Sequence, residues 1–121
     1  MRALLCGLTV VLLAAGSAGA GEADVVKVEA VGQGDGTWRF MVSVRHGDTG
    51  WDHYADKWDV VGPDGAVLGT RVLLHPHESE QPFTRSLGGV KIPARITQVT
   101  LRAHDSQHGY GGAEVIVDLA R

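Results

Sequence analysis

Thr37-Trp38-Arg39-Phe40-Met41-Val42-Ser43-Val44-Arg45-His46 is the stretch that reveals the fold. Trp38, Phe40, Val42 and Val44 alternate with Arg39, Met41, Ser43 and Arg45. A two-residue period sends one set to each face of a β-strand, so one face is apolar and the other polar. Gln33-Gly34-Asp35-Gly36 before it is a turn, and residues 24–31 form an earlier strand. Downstream, 57–61 is a strand closed by Gly62-Pro63-Asp64-Gly65, a turn whose glycines and proline supply the required backbone angles. Residues 66–74 return, 75–85 are a long polar segment, and 86–90 are a short strand. In 96–104, Val99, Leu101 and Ala103 share a face. Residues 105–112 are a glycine-rich loop, and in 113–119 Val115, Val117 and Leu119 alternate with Glu114, Ile116 and Asp118. No segment keeps a helical spacing of apolar residues. These short strands, with turns about every ten residues, predict an all-β fold, an antiparallel immunoglobulin-like β-sandwich of about seven strands.

The beginning of the chain has a different character. Met1-Arg2 is followed by an almost wholly apolar run over 3–15, then by small residues ending in Ala18-Gly19-Ala20. A basic start, an apolar middle and an A-x-A exit describe a secretory signal peptide cleaved after Ala20. The apolar run is too short for a bilayer core of roughly 30 Å. Leu4-Leu5-Cys6-Gly7 is a poor lipidation signal, because little apolar chain precedes the cysteine. The expected organisation is a signal peptide over 1–20 and a single β-sandwich domain over 21–121, periplasmic or secreted.

Composition narrows the function classes. Cys6 is the only cysteine, so the domain has no disulfide, thiolate ligand or cysteine nucleophile. Without Arg2, ten Lys and Arg face fourteen Asp and Glu, a formal charge of −4. The absence of a basic stripe argues against nucleic-acid binding, and no second apolar stretch is long enough to span a membrane.

Strand order and histidine position together suggest a site. If consecutive strands run antiparallel, the loops over 47–56, 75–85 and 105–112 share one end. All six histidines, His46, His53, His75, His77, His104 and His108, then lie at that end. Imidazole is the commonest metal-binding side chain. His75-Pro76-His77 is the sharpest local element, since the proline favours an extended chain that projects both rings to one side. His104 and His108 flank a turn, His46 ends a strand, and His53 is the weakest candidate because its loop is long. Asp52, Asp56 and Asp105 could ligate or orient a ring through its other nitrogen. Without sulfur ligands, an imidazole-rich site suits Cu(II) first and Zn(II) second.

Other features have competing readings. Trp51, Tyr54, Phe83 and Tyr110 are loop aromatics at the same end and could form a partner surface. For Trp51 and Phe83, packing of the loops onto the sandwich is the preferred alternative. Trp58 is expected in the core. Asp48-Thr49-Gly50 matches the aspartic-protease tripeptide, but Arg45-His46-Gly47 precedes it where an apolar strand is required, so it reads as a turn. No serine lies in a G-x-S-x-G turn. Glu78 and Glu80 could serve a metal-bound water as base.

The segments WDHYADKWDVVGPDG (51–65), LLHPHESEQPFTRSL (73–87) and HDSQHGYGG (104–112) resemble an uncharacterised family of small exported bacterial proteins. That resemblance implies one exported domain and no particular activity. The sequence therefore leaves three readings: an exported metal carrier or buffer, a module binding another envelope protein, and a metal-dependent hydrolase.

Overall fold

A computed structural model describes residues 9–13 and 21–119. The rest of the expected signal peptide, including its exit at Ala18-Gly19-Ala20, lies outside the described residues. The described residues form eight strands: β1 (Thr9–Leu13), β2 (Asp24–Gly32), β3 (Thr37–Arg45), β4 (Ala55–Val61), β5 (Val67–Val72), β6 (Phe83–Lys91), β7 (Gln98–Asp105) and β8 (Val115–Asp118). They form two antiparallel four-stranded sheets, ordered β1-β2-β3-β6 and β5-β4-β7-β8.

The alternation in β3 has the expected consequence. Trp38, Phe40, Val42 and Val44 are all buried, facing Trp58 and Val60 of β4 and Val99, Leu101 and Ala103 of β7 in one core. On the outer face of that strand, Ser43 shares a 2.7 Å hydrogen bond with Thr84 of β6. Trp58 is fully buried, as expected for a central-strand tryptophan.

Two features correct the strand assignment. The sequence suggested about seven strands. The eighth is β1, drawn from the segment read as a signal peptide, and it pairs antiparallel with β2 from Thr9↔Val31 to Leu13↔Lys27. The run is apolar enough to serve either role, and Val10 and Leu12 pack at the margin of the core. The second correction is at β6, which begins at Phe83 rather than residue 86. Val44↔Phe83 is a register pair, and burial of Phe83 draws the polar segment's end into the sheet.

The registers Asp24↔Arg45, Val44↔Phe83, Ala55↔Asp105 and Lys57↔Val72 bring the starts of β2, β4 and β6 to one pole with the ends of β3, β5 and β7. The loops over 46–54, 73–82 and 106–114 therefore crown a single pole, joined by residues 21–23 leading into β2.

Candidate metal centre

The centre is built around Asp105, the last residue of β7. Its side chain is fully buried. Oδ1 accepts the backbone N–H groups of Gln107 (2.6 Å) and His108 (2.9 Å). This Asx-type turn lets the chain leave the strand and close on itself through the Asp105–Gly109 bridge. With Oδ1 committed to the turn, Oδ2 faces the histidines. His46 Nε2 makes a short hydrogen bond to it. His53 Nε2 lies at 2.7 Å and His108 Nδ1 at 3.4 Å.

The Gly21 carbonyl oxygen enters the same space. It is 3.0 Å from His46 Nε2, 3.3 Å from His53 Nε2 and 3.1 Å from His108 Nδ1. Two oxygens and three imidazole nitrogens therefore converge. The ring centroids of the His46–His53 and His53–His108 pairs are each 4.8 Å apart, in edge-on arrangements. One ligand atom from each of His46, His53 and Asp105 lies within 4.8 Å of the others. Donors on a tetrahedral zinc with bonds of about 2.0–2.1 Å stand about 3.3 Å apart, so an ion entering here must part the hydrogen-bonded His46–Asp105 and His53–Asp105 pairs slightly.

Asp48 supports the arrangement from behind. Its Oδ1 receives His46 Nδ1 in a short hydrogen bond and Ala55 N at 3.2 Å, and its Oδ2 receives His77 N at 2.6 Å. One buried carboxylate thus ties together the ends of β3, β4 and the 73–82 loop. Both nitrogens of His46 face carboxylate oxygens, an arrangement that favours the doubly protonated, charged ring. Burial alone would push its pKa down, but hydrogen bonds to Asp48 and Asp105 outweigh burial and raise it. The Asp105 carboxyl is held well below the usual range. Burial opposes that shift, but the His108 and Gln107 amides and the His46 and His53 rings overcome it.

The remaining histidines share the pole but not the centre. His77 is buried and stacks on Phe83 with ring centroids 4.0 Å apart. Its Nε2 accepts from Arg85 Nη2 at 3.0 Å. Burial, then the charges of Arg85 and His75, push its pKa down, leaving a neutral ring with its proton on Nδ1. His75 is exposed, 4.6 Å from His77 by ring centroids. The HPH rings are therefore neighbours, as the sequence suggested, but they stand apart from Asp105. His104 is on the outer face of β7, hydrogen-bonded through Nδ1 to Asp56 Oδ1 at 2.6 Å and edge-on to Tyr110. Asp52 is exposed and contributes its backbone carbonyl to Gln107 Nε2.

Among the aromatics, Phe83 is buried and cannot face a partner. Trp51 is 66% exposed, contrary to the packing reading, with Tyr54 edge-on at 5.5 Å. Tyr110 donates its hydroxyl to the buried carboxylate of Asp59 at 2.6 Å and lies under the Arg102 guanidinium at 4.0 Å. That network, with Thr70 also donating to Asp59, fastens the 106–114 loop to the outer face of the β5-β4-β7-β8 sheet.

Sequence reasoning missed two parts of the centre. Asp48 was legible only as a turn residue, and its burial depends on three distant segments meeting. The Gly21 carbonyl is a backbone atom and carries no side-chain signal.

The chain is 45% identical over 97 residues to a protein of Halomicrobium mukohataei named "Putative lipoprotein"; the match covers 80% of this chain and 47% of that protein. The chain therefore spans about half the length of the relative it matches. No protein-family profile matches it, and no solved structure does. Among the described residues, no helix is long and apolar enough to cross a membrane.

Proposed function

We propose that this is an exported metal-binding protein that holds a divalent transition ion at its histidine pole, as a carrier or buffer. One observation carries the reading: His46, His53 and His108 direct ring nitrogens at a single buried carboxylate oxygen. His46, His53 and Asp105 are the inner ligands, with His108 closing from the rim. Asp48 keeps its hydrogen bond to His46 Nδ1, the carboxylate–imidazole support common behind metal ligands. Binding displaces the proton that His46 Nε2 shares with Asp105, so uptake releases a proton. Nitrogen and carboxylate donors without thiolate favour Cu(II) first and Zn(II) second. The domain is read as an immunoglobulin-like sandwich over 21–121, released after Ala20 to a periplasmic or secreted location. The relative's name supports an exported, envelope-associated setting.

The test is titration of the exported protein with Cu(II) and Zn(II), compared with His53→Ala/His108→Ala and His75→Ala/His77→Ala variants. The first variant is expected to lose at least tenfold in affinity and the second to keep the native value. Loss in the second alone would move the site to HPH, and no binding by the native protein would reject the metal reading.

A second reading is favoured by two exposed apolar side chains in the loops of this pole, Trp51 at 66% and Leu74 at 75% exposure. These large apolar side chains at the histidine pole suit contact with another envelope protein, consistent with a carrier that passes its ion to a docked partner.

A further inference from the structure

We propose that removal of the leader completes the centre, because the new α-amine of Gly21 joins its own carbonyl oxygen in chelating the bound ion. This rests on the metal reading above and adds a ligand that no side chain supplies. Hydrolysis of the Ala20–Gly21 bond by a signal peptidase consumes one water, leaving a carboxylate on Ala20 and a primary amine on Gly21. Before cleavage that nitrogen is an amide, whose lone pair is delocalised into the carbonyl and is a poor metal donor. After cleavage it is a basic amine, and the nitrogen and oxygen of one glycine can close a five-membered ring on a metal.

Three observations carry the inference. The first is position: the Gly21 carbonyl oxygen lies 3.0–3.3 Å from the nitrogens of His46, His53 and His108. An acceptor on every one of these rings lies where they converge, so the residue is already at the centre.

The second is the residue type. Gly21 has φ +90°, and a Cβ there would lie 3.0 Å from His108 Cε1. Backbone can approach the imidazoles this closely only without a side chain. With cleavage read after the A-x-A exit at Ala18-Gly19-Ala20, this glycine is the first residue of the processed chain.

The third is anchoring that does not involve the leader. Val25 N donates to Ala113 O at 2.9 Å, and Ala113 N donates to Asp24 Oδ1 at 2.9 Å. Gly112 packs so tightly that a Cβ would lie 1.9 Å from Ala23 O. Residues 23–25 are therefore bound to the loop that carries His108. Cleaving the bond before Gly21 removes β1 from the edge of β2 but breaks none of these contacts, so they hold the new terminus at the centre. Full affinity then arises only after export, and the unprocessed chain is a poor competitor for cytoplasmic metal.

The experiment uses the full chain expressed with its leader in a host that exports it. Intact mass identifies the first residue of the product, which is then titrated with Cu(II) before and after selective acetylation of its α-amine. Thermal melts verify that both forms are folded, and electron paramagnetic resonance counts the nitrogens on copper. The expected result is a product beginning at Gly21 whose Cu(II) affinity falls at least tenfold on acetylation, with one nitrogen lost from the hyperfine pattern. A product beginning elsewhere overturns the proposal. Equal affinity and equal spectra for the free and acetylated forms overturn it while leaving the imidazole site standing. No copper binding by either form rejects this proposal and the metal reading together.

Discussion

Replacing Asp105 with asparagine changes the charge at the centre while keeping its volume. The side chain is fully buried, and its carboxylate is the acceptor shared by His46 and His53. In Asp105→Asn the amide oxygen can still accept the Gln107 and His108 N–H groups of the turn, but the NH2 group then meets ring N–H donors. Two hydrogen bonds assisted by charge are lost, each worth about 1.5–3 kcal/mol. Some of this is recovered when His46 releases its Nε2 proton and accepts from the amide, so the expected cost is about 2–4 kcal/mol in metal-free protein. The cost has a definite pH dependence. Although burial pushes the His46 pKa down, Asp48 and Asp105 raise it overall. A raised folded pKa stabilises fully below the unfolded value of about 6.5, and that stability is lost as pH rises through the folded value. Asparagine removes one of the two carboxylates responsible, so the gap between native protein and variant is widest near about pH 5.5 and narrows toward about pH 9. Thermal melts of chelator-treated protein across that range measure it, with a fall on the order of 10–20 °C at the acid end. A gap under about 1 kcal/mol there, or one that widens as pH rises, would refute the charged His46 bridge.

Two further substitutions test how the pole is held. The pKa of Asp59 is pushed up by burial but lowered overall by hydrogen bonds from Tyr110, Thr70 and Arg102; its stabilisation is present above the unfolded value and lost as pH falls through the folded one. Asp59→Asn is therefore expected to cost about 2 kcal/mol near neutrality, with the gap to native closing in acid melts; a gap independent of pH would remove Asp59 from the account. Gly112→Ala places a methyl group where Ala23 O lies 1.9 Å away and is expected to cost about 3 kcal/mol or more in urea unfolding followed by tryptophan fluorescence. A near-neutral result would mean that the 23–25 segment is not clamped to the histidine loop.

Much of the fold was legible because a half-buried strand writes its geometry into a period of two. Trp38, Phe40, Val42 and Val44 declared their face, and Val99, Leu101 and Ala103 did the same for β7. Gly62-Pro63-Asp64-Gly65 marked a reversal through backbone preference. The ends of elements were less legible. Phe83 and the start of β4 at Ala55 belong to strands because partners across the sheet complete their hydrogen bonds, and those partners are distant in sequence. The apolar run containing Thr9–Leu13 illustrates the same ambiguity, since an export signal and an edge strand ask for similar side chains.

By itself, the sequence determined that this is a chain of short β-strands and, through the parity of up-and-down connections, that all six histidines belong to one pole. Only the tertiary structure decided which of them meet. HPH was the stronger local pattern, yet His77 stacks on Phe83 while His53, from a long loop, reaches Asp105. The reason is that ligand convergence is set within a few ångströms by buried carboxylates and backbone atoms from different loops. Asp48, Asp105 and the Gly21 carbonyl acquire their roles only when packing removes them from water, where an unpaired polar group would be costly and each must find its partner.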